Sequence, residues 1–172
     1  MELAILDWIQ ENLRSDAMDF IMSHITLLGN AGIMWIIIAA ALILWKKYRP
    51  LGLTMAAGLV SSLVVGNVIL KNLFARPRPC WINDTVDLLI PMPKDYSFPS
   101  GHTLCSFISA TIIFQYNRAW GIAAYILSGL IAFSRMYLYV HYLTDVLAGV
   151  ILGIAIGLLV SKISMKIASQ KS

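Results

Sequence analysis

The chain has 172 residues, of which 59% are hydrophobic and 13% are charged, and its mean hydropathy is +0.76. This composition excludes an ordinary soluble domain and predicts one integral membrane domain over 1–172. The formal net charge is +4, but the 13 basic residues stand at the ends of apolar runs rather than in one patch, so we expect no nucleic-acid partner.

The first 24 residues mix apolar positions with five acids. This pattern predicts an amphipathic helix over 1–24 that lies at the membrane interface, with a span over 5–24 as the open alternative. The acidic start lacks the basic residues and the apolar core of a cleavable signal peptide. His24 is the only histidine in this stretch, and we assign it no catalytic role.

Five apolar stretches follow, and about 20 helical residues are needed to cross a hydrocarbon core. They lie at about 25–45, 51–74, 100–116, 119–138 and 142–163. These stretches predict an all-α fold, a polytopic bundle of about five membrane helices. The membrane core would occupy 25–163 and be followed by a cytoplasmic tail at 164–172.

The basic residues divide between the two ends of these stretches. The positive-inside rule predicts that one group is cytoplasmic, and it comprises Lys46, Lys47, Arg49, Arg118, Lys162, Lys166 and Lys171. The opposite end holds Lys71, Arg76, Arg78, Lys94 and Arg135. We therefore expect this second end, together with the acidic N-terminal helix, to face the extracytoplasmic side of the membrane.

Three polar clusters lie at this outer end: KNLFARPRP at 71–79, PSGH at 99–102 and SRMYLYVHYLTD at 134–145. They contain cations and histidines, but no group of carboxylates or cysteines that would build a metal site, so we expect no metal and no cofactor. Arginine matches phosphate oxygens bidentately and lysine adds a point charge, so the clusters favour a multiply charged tetrahedral anion. Cys80 and Cys105 imply no disulfide framework, although a bond between them stays open.

Two residue pairs in these clusters predict local chemistry. If the chain is helical around His141, Asp145 lies one turn further on the same face, where it can hold one imidazole nitrogen and leave the other free. Such a pair describes an oriented nucleophile or base, and a buried histidine satisfied by its neighbour is the alternative. Ser100 is a natural N-cap for the next helix, and Gly101 lets an anion approach the N–H groups of the helix start.

The three clusters together resemble the type 2 phosphatidic acid phosphatase superfamily. That family is recognised by KxxxxxxRP, then PSGH, then SRxxxxxHxxxD, and all three motifs are present in order and without a substitution at 71–79, 99–102 and 134–145. The resemblance implies a membrane lipid phosphatase of a bacterial cell membrane. Undecaprenyl diphosphate phosphatases and phosphatidylglycerophosphate phosphatases are the members it is most similar to.

The resemblance also implies a role for each motif residue. His141 would be the nucleophile that attacks phosphorus, and Asp145 would orient it. His102 would be the general acid that protonates the leaving oxygen and later the base that activates water. The phosphate-binding residues implied in this way are Lys71, Arg78, Ser100, Gly101 and Arg135. Arg76 lies outside the motifs, and we expect it to anchor the chain at the surface or interface.

The expected partners are the lipid bilayer and a lipid phosphate or diphosphate. Undecaprenyl diphosphate is preferred, because Arg76 or Lys94 could meet a second phosphate. Phosphatidylglycerophosphate and phosphatidic acid are the alternative substrates, and a lipid translocator or binding protein is the alternative from another class. The paired broken helices of a translocator are not evident, and the related vanadium-dependent haloperoxidases are soluble. The sequence leaves the oligomeric state open.

Overall fold

The computed structural model describes residues 2–170, and the regular elements of this part of the chain are all helical. The helices are α1 (Glu2–Leu13), α2 (Asp16–Gly29), α3 (Ile33–Leu44), α4 (Arg49–Ser61), α5 (Lys71–Phe74), α6 (Pro79–Ile82), α7 (Gly101–Tyr116), α8 (Arg118–Tyr137) and α9 (Leu143–Ser169). A π-helical segment, Ser62–Leu70, joins α4 to α5, and the 3₁₀ turns Asn30–Gly32 and Lys46–Tyr48 flank α3. The predicted all-α membrane helix bundle is confirmed.

Four stretches of the described residues are long and apolar enough to cross a membrane. They are Asp16–Leu44, Lys46–Ile82, Arg118–Tyr137 and Leu143–Ser169. The remaining predicted span corresponds to α7, which has only 16 residues and buries most of them at the centre of the bundle. The predicted tail at 164–172 begins as helix, because α9 continues to Ser169, and Lys171 and Ser172 lie outside the described residues.

The central helix α7 packs closely against α9, because small residues line the facing side of α9. These are Gly149, Gly153 and Gly157. A Cβ placed on Gly149 would lie only 2.9 Å from Cβ of Thr103, so a larger residue would push the two helices apart. The close approach brings the starts of the two helices together, where the N–H of Ser100 donates to the backbone oxygen of Asp145 at 3.2 Å.

The N-terminal region differs from the single amphipathic helix predicted over 1–24. The structure divides it into α1 and α2, because Ser15 has an extended backbone and its hydroxyl accepts a hydrogen bond from the N–H of Met18 as the N-cap of α2. Helix α2 continues to Gly29, so the predicted span at 25–45 consists of the end of α2 and α3. Residue 1 of the predicted helix lies outside the described residues.

Acidic side chains of α1 and α2 hold the C-terminal end of α8 and the turn that follows it. The hydroxyl of Tyr137 donates to Asp19 at 2.5 Å, and the hydroxyl of Tyr139 donates to Asp7 at 2.5 Å. Burial and the hydrogen bond to Asp7 raise the pKa of Tyr139 to about 12, so its hydroxyl keeps its proton. The N-terminal helices therefore pack on the same end of the bundle as the motif residues.

Candidate active site

One cavity of about 810 Å³ lies at this end of the bundle. Six of the eight predicted site residues line it, namely Lys71, Arg78, Gly101, His102, Arg135 and His141. The other two, Ser100 and Asp145, are fully buried next to its wall. The fold therefore brings all eight predicted residues together from three separate segments of the chain.

His141 lies in the turn between α8 and α9, which corrects the helical spacing predicted for His141 and Asp145. The turn forms because α8 ends at Tyr137 and Tyr139 adopts a left-handed φ of 58°. Asp145 lies in the first turn of α9, where its Oδ2 accepts a hydrogen bond of 2.9 Å from the N–H of Tyr142. Nδ1 of His141 and Oδ2 of Asp145 are nevertheless only 3.5 Å apart.

Ser97 bridges these two side chains, a contact that no sequence motif indicated. Its hydroxyl donates to Oδ2 of Asp145 at 2.5 Å and lies 3.3 Å from Nδ1 of His141. Because the single hydroxyl proton goes to the carboxylate, the oxygen accepts from Nδ1–H. Nε2 of His141 then carries the lone pair and accepts a hydrogen bond of 3.0 Å from Arg78. Burial and the charges of Arg78 and Arg135 lower the pKa of His141 well below its usual value, so the ring stays neutral.

Asp95 is the ionic partner of two of the predicted phosphate-binding cations. Its carboxylate forms ion pairs with Lys71 and, at 2.8 Å, with Nη2 of Arg78. Partial burial favours the neutral acid, but the hydrogen bonds and charges of Lys71 and Arg78 outweigh burial and lower the pKa of Asp95 to about 2. A carboxylate thus lies where the sequence predicts phosphate oxygens, which shows that these two cations can hold an anion between them.

Arg135, the third predicted cation, is almost completely buried, with 3% of its surface exposed. Its Nη1 donates to the hydroxyl of Thr26 on α2. Among the described residues, its Nε–H has no hydrogen-bond partner, although the atom is buried. An unsatisfied buried N–H of a guanidinium is costly. Since Arg135 lines the cavity, this N–H is suited to an anionic oxygen of a ligand.

The PSGH segment forms the start of α7, as the sequence predicts. The hydroxyl of Ser100 accepts a hydrogen bond from the N–H of Thr103 as the N-cap, and it also accepts one of 2.9 Å from the Thr103 hydroxyl. Ser100 therefore contributes mainly by shaping the helix start. The next residues, Gly101 and His102, line the cavity, and Nε2 of His102 lies 2.9 Å from Oδ1 of Asn30.

Arg76 does not lie free at the surface, which corrects the role expected for it. Its Nη1 donates to Oδ1 of Asp145 and to the hydroxyl of Thr144, both at 2.7 Å. Its Nη2 forms an ion pair with Glu2 of α1. The guanidinium also lies over the ring of Tyr142, 4.0 Å from the ring centre. Arg76 is therefore part of the surroundings of Asp145.

Two further groups of residues bear on metals and redox chemistry. Cys80 and Cys105 are both buried free thiols, so the bond left open by the sequence is not formed. Within residues 2–170, no cluster of His, Cys, Asp and Glu side chains is arranged to hold a metal ion. The charged groups that line the cavity are instead the cations described above and the carboxylate of Asp95, which is paired with two of them.

The chain is similar to proteins of a known family. Residues 47–168 match the PAP2 superfamily. The chain belongs to this superfamily. A curated relative named undecaprenyl-diphosphatase, from Sulfolobus acidocaldarius, is 36% identical over 117 residues, which cover 67% of this chain and 56% of the relative. The chain thus spans little more than half the length of that relative.

Two solved structures share the fold over almost the whole chain. LpxE of Aquifex aeolicus superposes with a TM-score of 0.75 at 27% identity and covers 94% of both chains. A PAP2-type phosphatidylglycerolphosphate phosphatase of Bacillus subtilis superposes with a TM-score of 0.77 at 28% identity, covering 95% of this chain and 84% of its own.

The PAP2 match begins at residue 47, so several residues that contact the site lie outside it. Glu2 contacts Arg76, Thr26 contacts Arg135 and Asn30 contacts His102. These contacts join residues that are far apart in the chain, and none of the three N-terminal residues belongs to a motif. Only the acidic and polar character of the N-terminal stretch hints that it packs on a cationic site.

Proposed function

We propose that the protein is a membrane lipid phosphatase that removes the terminal phosphate of a lipid diphosphate, with undecaprenyl diphosphate as the preferred substrate and undecaprenyl phosphate as the product. The observation that carries this proposal is the position of His141, which contacts Ser97 and Arg78 and lines one cavity together with three cations. Membership of the PAP2 superfamily and the similarity to a relative named undecaprenyl-diphosphatase support it.

The reaction would proceed in two steps at His141. Its Nε2 lone pair attacks the terminal phosphorus and forms a P–N bond, while the bond from phosphorus to the bridging oxygen breaks. That oxygen leaves with its electron pair and takes a proton from His102. A water molecule then gives a proton to His102 and attacks the phosphohistidine, which releases inorganic phosphate. Asp145, through Ser97, stabilises the positive charge that the ring of His141 gains on attack.

Fixed cations supply the charge stabilisation in this proposal. Phosphoryl transfer depends mainly on positioning and on neutralising the oxygens of the transferred group. Lys71, Arg78 and Arg135 surround the site, so we propose that turnover needs no divalent metal. Excess EDTA is expected to leave the rate of phosphate release unchanged in a colorimetric assay. A rate that EDTA abolishes and only Mg²⁺ restores would contradict this part of the proposal.

The hydrocarbon chain has an apolar route away from the cations. The same cavity continues between α3 and α4, where it is lined by Ile36, Ala39, Ala40, Ile43, Leu59, Val60 and Leu63. Ile36 and Val60 are 51% and 61% exposed on the outer surface of the bundle, so the groove opens toward lipid. We propose that the chain segment next to the diphosphate lies in this groove.

A second phosphate needs a cation beyond those already named. The sequence leaves Arg76 available for it, but Arg76 is engaged by Asp145 and Glu2. Lys94 is exposed beside Asp95 and is the remaining candidate. A monophosphate lipid would use the same core residues, and the similarity to a phosphatidylglycerolphosphate phosphatase structure makes that lipid the second candidate substrate.

We propose that the site faces the extracytoplasmic side of the cell membrane. The basic turn Lys46–Tyr48 and the C-terminal end of α9 lie at the opposite end of the spans from the cavity. Because basic residues favour the cytoplasmic side, their position supports this orientation.

Phosphate release from a panel of lipids tests the activity. Farnesyl or undecaprenyl diphosphate is expected to show a kcat/KM about tenfold higher than phosphatidylglycerophosphate or phosphatidic acid in the same detergent, which corresponds to about 1.4 kcal/mol of differential transition-state binding. If a glycerolipid phosphate gave the higher kcat/KM, the protein would still be a phosphatase, but its preferred substrate would be that glycerolipid. Lipid transfer between leaflets without phosphate release would favour a translocator instead.

The His141→Ala variant tests the nucleophile. It is expected to lose turnover while its thermal unfolding in detergent stays close to that of the wild type. A radiolabelled substrate is expected to leave an acid-labile phosphoenzyme, most visible in His102→Ala, where loss of the base slows hydrolysis. Near-normal turnover by His141→Ala would overturn the mechanism.

A further inference from the structure

The imidazole of His102 packs against the C-terminal end of α2 and the residue that follows it. Nε2 of His102 is 2.9 Å from Oδ1 of Asn30, which is 72 positions earlier in the chain. The ring also lies against Gly29, where a Cβ would be 2.6 Å from Cδ2 of His102 and 2.9 Å from Ile131. Only glycine leaves room for the ring at this position, so the backbone and the side chain of two consecutive residues together hold the imidazole.

The backbone conformation after Gly29 places Asn30 at the cavity. Helix α2 ends there, and the following 3₁₀ turn includes Ala31 with φ 49° and Gly32 with φ 67°, both left-handed. A left-handed alanine costs free energy and persists only where the surroundings hold it. Gly29, Asn30 and Gly32 all line the cavity together with His102. The turn therefore brings an amide side chain to the cavity from outside the matched PAP2 region.

The hydrogen bond to Asn30 determines which nitrogen of His102 is available to react with the substrate. The carbonyl oxygen of Asn30 can only accept, so Nε2 carries a proton and donates it to Asn30. Among the described residues, Nδ1 of His102 has no side-chain partner. With the proton on Nε2 held by Asn30, Nδ1 is the nitrogen that takes up a second proton from water when the negatively charged substrate offsets the surrounding cations, and it then passes this proton to the leaving oxygen. The groups that face His102 are cationic or neutral, namely Arg135, His141, Lys71 and Arg78. A neutral acceptor fixes the ring without neutralising these cations.

We propose that Asn30 is a positioning residue that acts through His102, holding the ring so that Nδ1 delivers the proton to the leaving oxygen. This inference rests on the proposed phosphatase activity. It assigns a function to the N-terminal helix pair, which contacts the site but carries none of the motifs. General acid catalysis contributes a rate increase of roughly 10²–10⁴-fold, and a poorly oriented acid loses much of it.

A double-mutant cycle tests whether Asn30 acts through His102. Asn30→Ala is expected to lower kcat about tenfold on the lipid substrate with little change in KM. In the His102→Ala background the same substitution is expected to change kcat less than twofold, because the residue it orients is absent. Asn12→Ala is the matched control, since Asn12 is exposed and bonds only within α1, and it is expected to keep wild-type kcat.

Two further readouts separate positioning from a structural role. Asn30→Asp keeps the acceptor, so it is expected to recover most of the kcat and to move the basic limb of the kcat/KM profile to higher pH, because a carboxylate stabilises the protonated ring. The loss in Asn30→Ala is expected to be larger for an alkyl phosphate than for p-nitrophenyl phosphate, whose leaving group needs no proton.

The outcomes distinguish failure of this inference from failure of the proposed function. Wild-type kcat in Asn30→Ala, or equal losses in the wild-type and His102→Ala backgrounds, would overturn the inference. If His141→Ala remained active, the proposed function itself would fail instead. If His141→Ala were inactive and Asn30→Ala unaffected, only the role of Asn30 would be rejected.

Discussion

Arg76 and Asp145 form a hydrogen-bonded ion pair of 2.7 Å in which the carboxylate is completely buried. The same carboxylate accepts hydrogen bonds from Ser97 and from the N–H of Tyr142. A buried carboxylate is costly unless it is paired and hydrogen-bonded. Arg76 therefore supplies the counter-charge of Asp145 beside His141, although it is not one of the fixed residues of the three motifs that identify the site.

Loss of Arg76 is expected to impair both stability and turnover. Arg76→Ala leaves Asp145 without its counter-charge, and because Arg76 is only partly buried we expect a destabilisation of about 2 kcal/mol rather than the full cost of breaking a buried pair. The kcat is expected to fall at least tenfold. Thermal unfolding and phosphate release measure the two effects, with the exposed Arg49→Ala as the control. A variant with wild-type kcat would show that Arg76 is only structural.

Ser97 is expected to matter for rate more than for folding. Ser97→Ala removes the hydroxyl that joins Nδ1 of His141 to Asp145 and leaves the two groups 3.5 Å apart. We expect kcat to fall about tenfold, since the tautomer of His141 is then held less firmly. Ser23→Ala, whose hydroxyl bonds only within α2, is the control. A change in KM alone would contradict a role in orienting the nucleophile.

The ion pairs of Asp95 are expected to stabilise the protein near neutral pH but not in strong acid. Its pKa of about 2 in the folded state lies below the value near 3.9 of an unfolded aspartate. The stabilisation is therefore fully present above about pH 4 and is lost as the pH falls toward 2. The difference in Tm between wild type and Asp95→Asn should be constant from pH 5 to 8 and shrink below pH 4.

Because Asp95 is more than half exposed, the difference in Tm is expected to be small. Asp84→Asn is the matched control, since Asp84 is exposed in the same loop. A difference that grows on acidification would contradict the ion pairing. A second consequence is tighter inhibition of Asp95→Asn by inorganic phosphate, because no carboxylate then competes for Lys71 and Arg78.

The orientation in the membrane can be tested with single cysteines. After Cys80 and Cys105 are replaced, a cysteine is introduced by Asp84→Cys near the cavity or by Lys47→Cys at the opposite end, both at exposed positions. A membrane-impermeant thiol reagent applied to intact cells is expected to label the first variant and not the second. The reverse pattern would place the site on the cytoplasmic side.

The motif residues could be predicted from the sequence because each motif has its own fixed spacing and chemistry. Their partners could not, because Thr26, Asn30 and Ser97 reach the site only through tertiary packing and belong to residue types that are common in loops and helix ends. The predicted helical spacing of His141 failed for a local reason, the left-handed Tyr139 that ends α8 before the histidine.

The sequence of α9 also contains a signal of helix packing. Glycines recur at every fourth position of α9, from Gly149 to Gly157, and this spacing predicts a close helix neighbour. The hydropathy pattern, by contrast, predicts an apolar stretch at 100–116 but does not show that α7 lies at the centre of the bundle, where most of its 16 residues are buried.

The groove between α3 and α4 opens on the outer surface of the bundle next to Ile36 and Val60. A lipid that enters through this side diffuses in the plane of the membrane and keeps its hydrocarbon chain out of water. Its effective concentration is then its mole fraction among the surrounding lipids or detergent molecules, not its amount per volume of solution. Added detergent thus dilutes the substrate at the groove even when its total concentration stays constant.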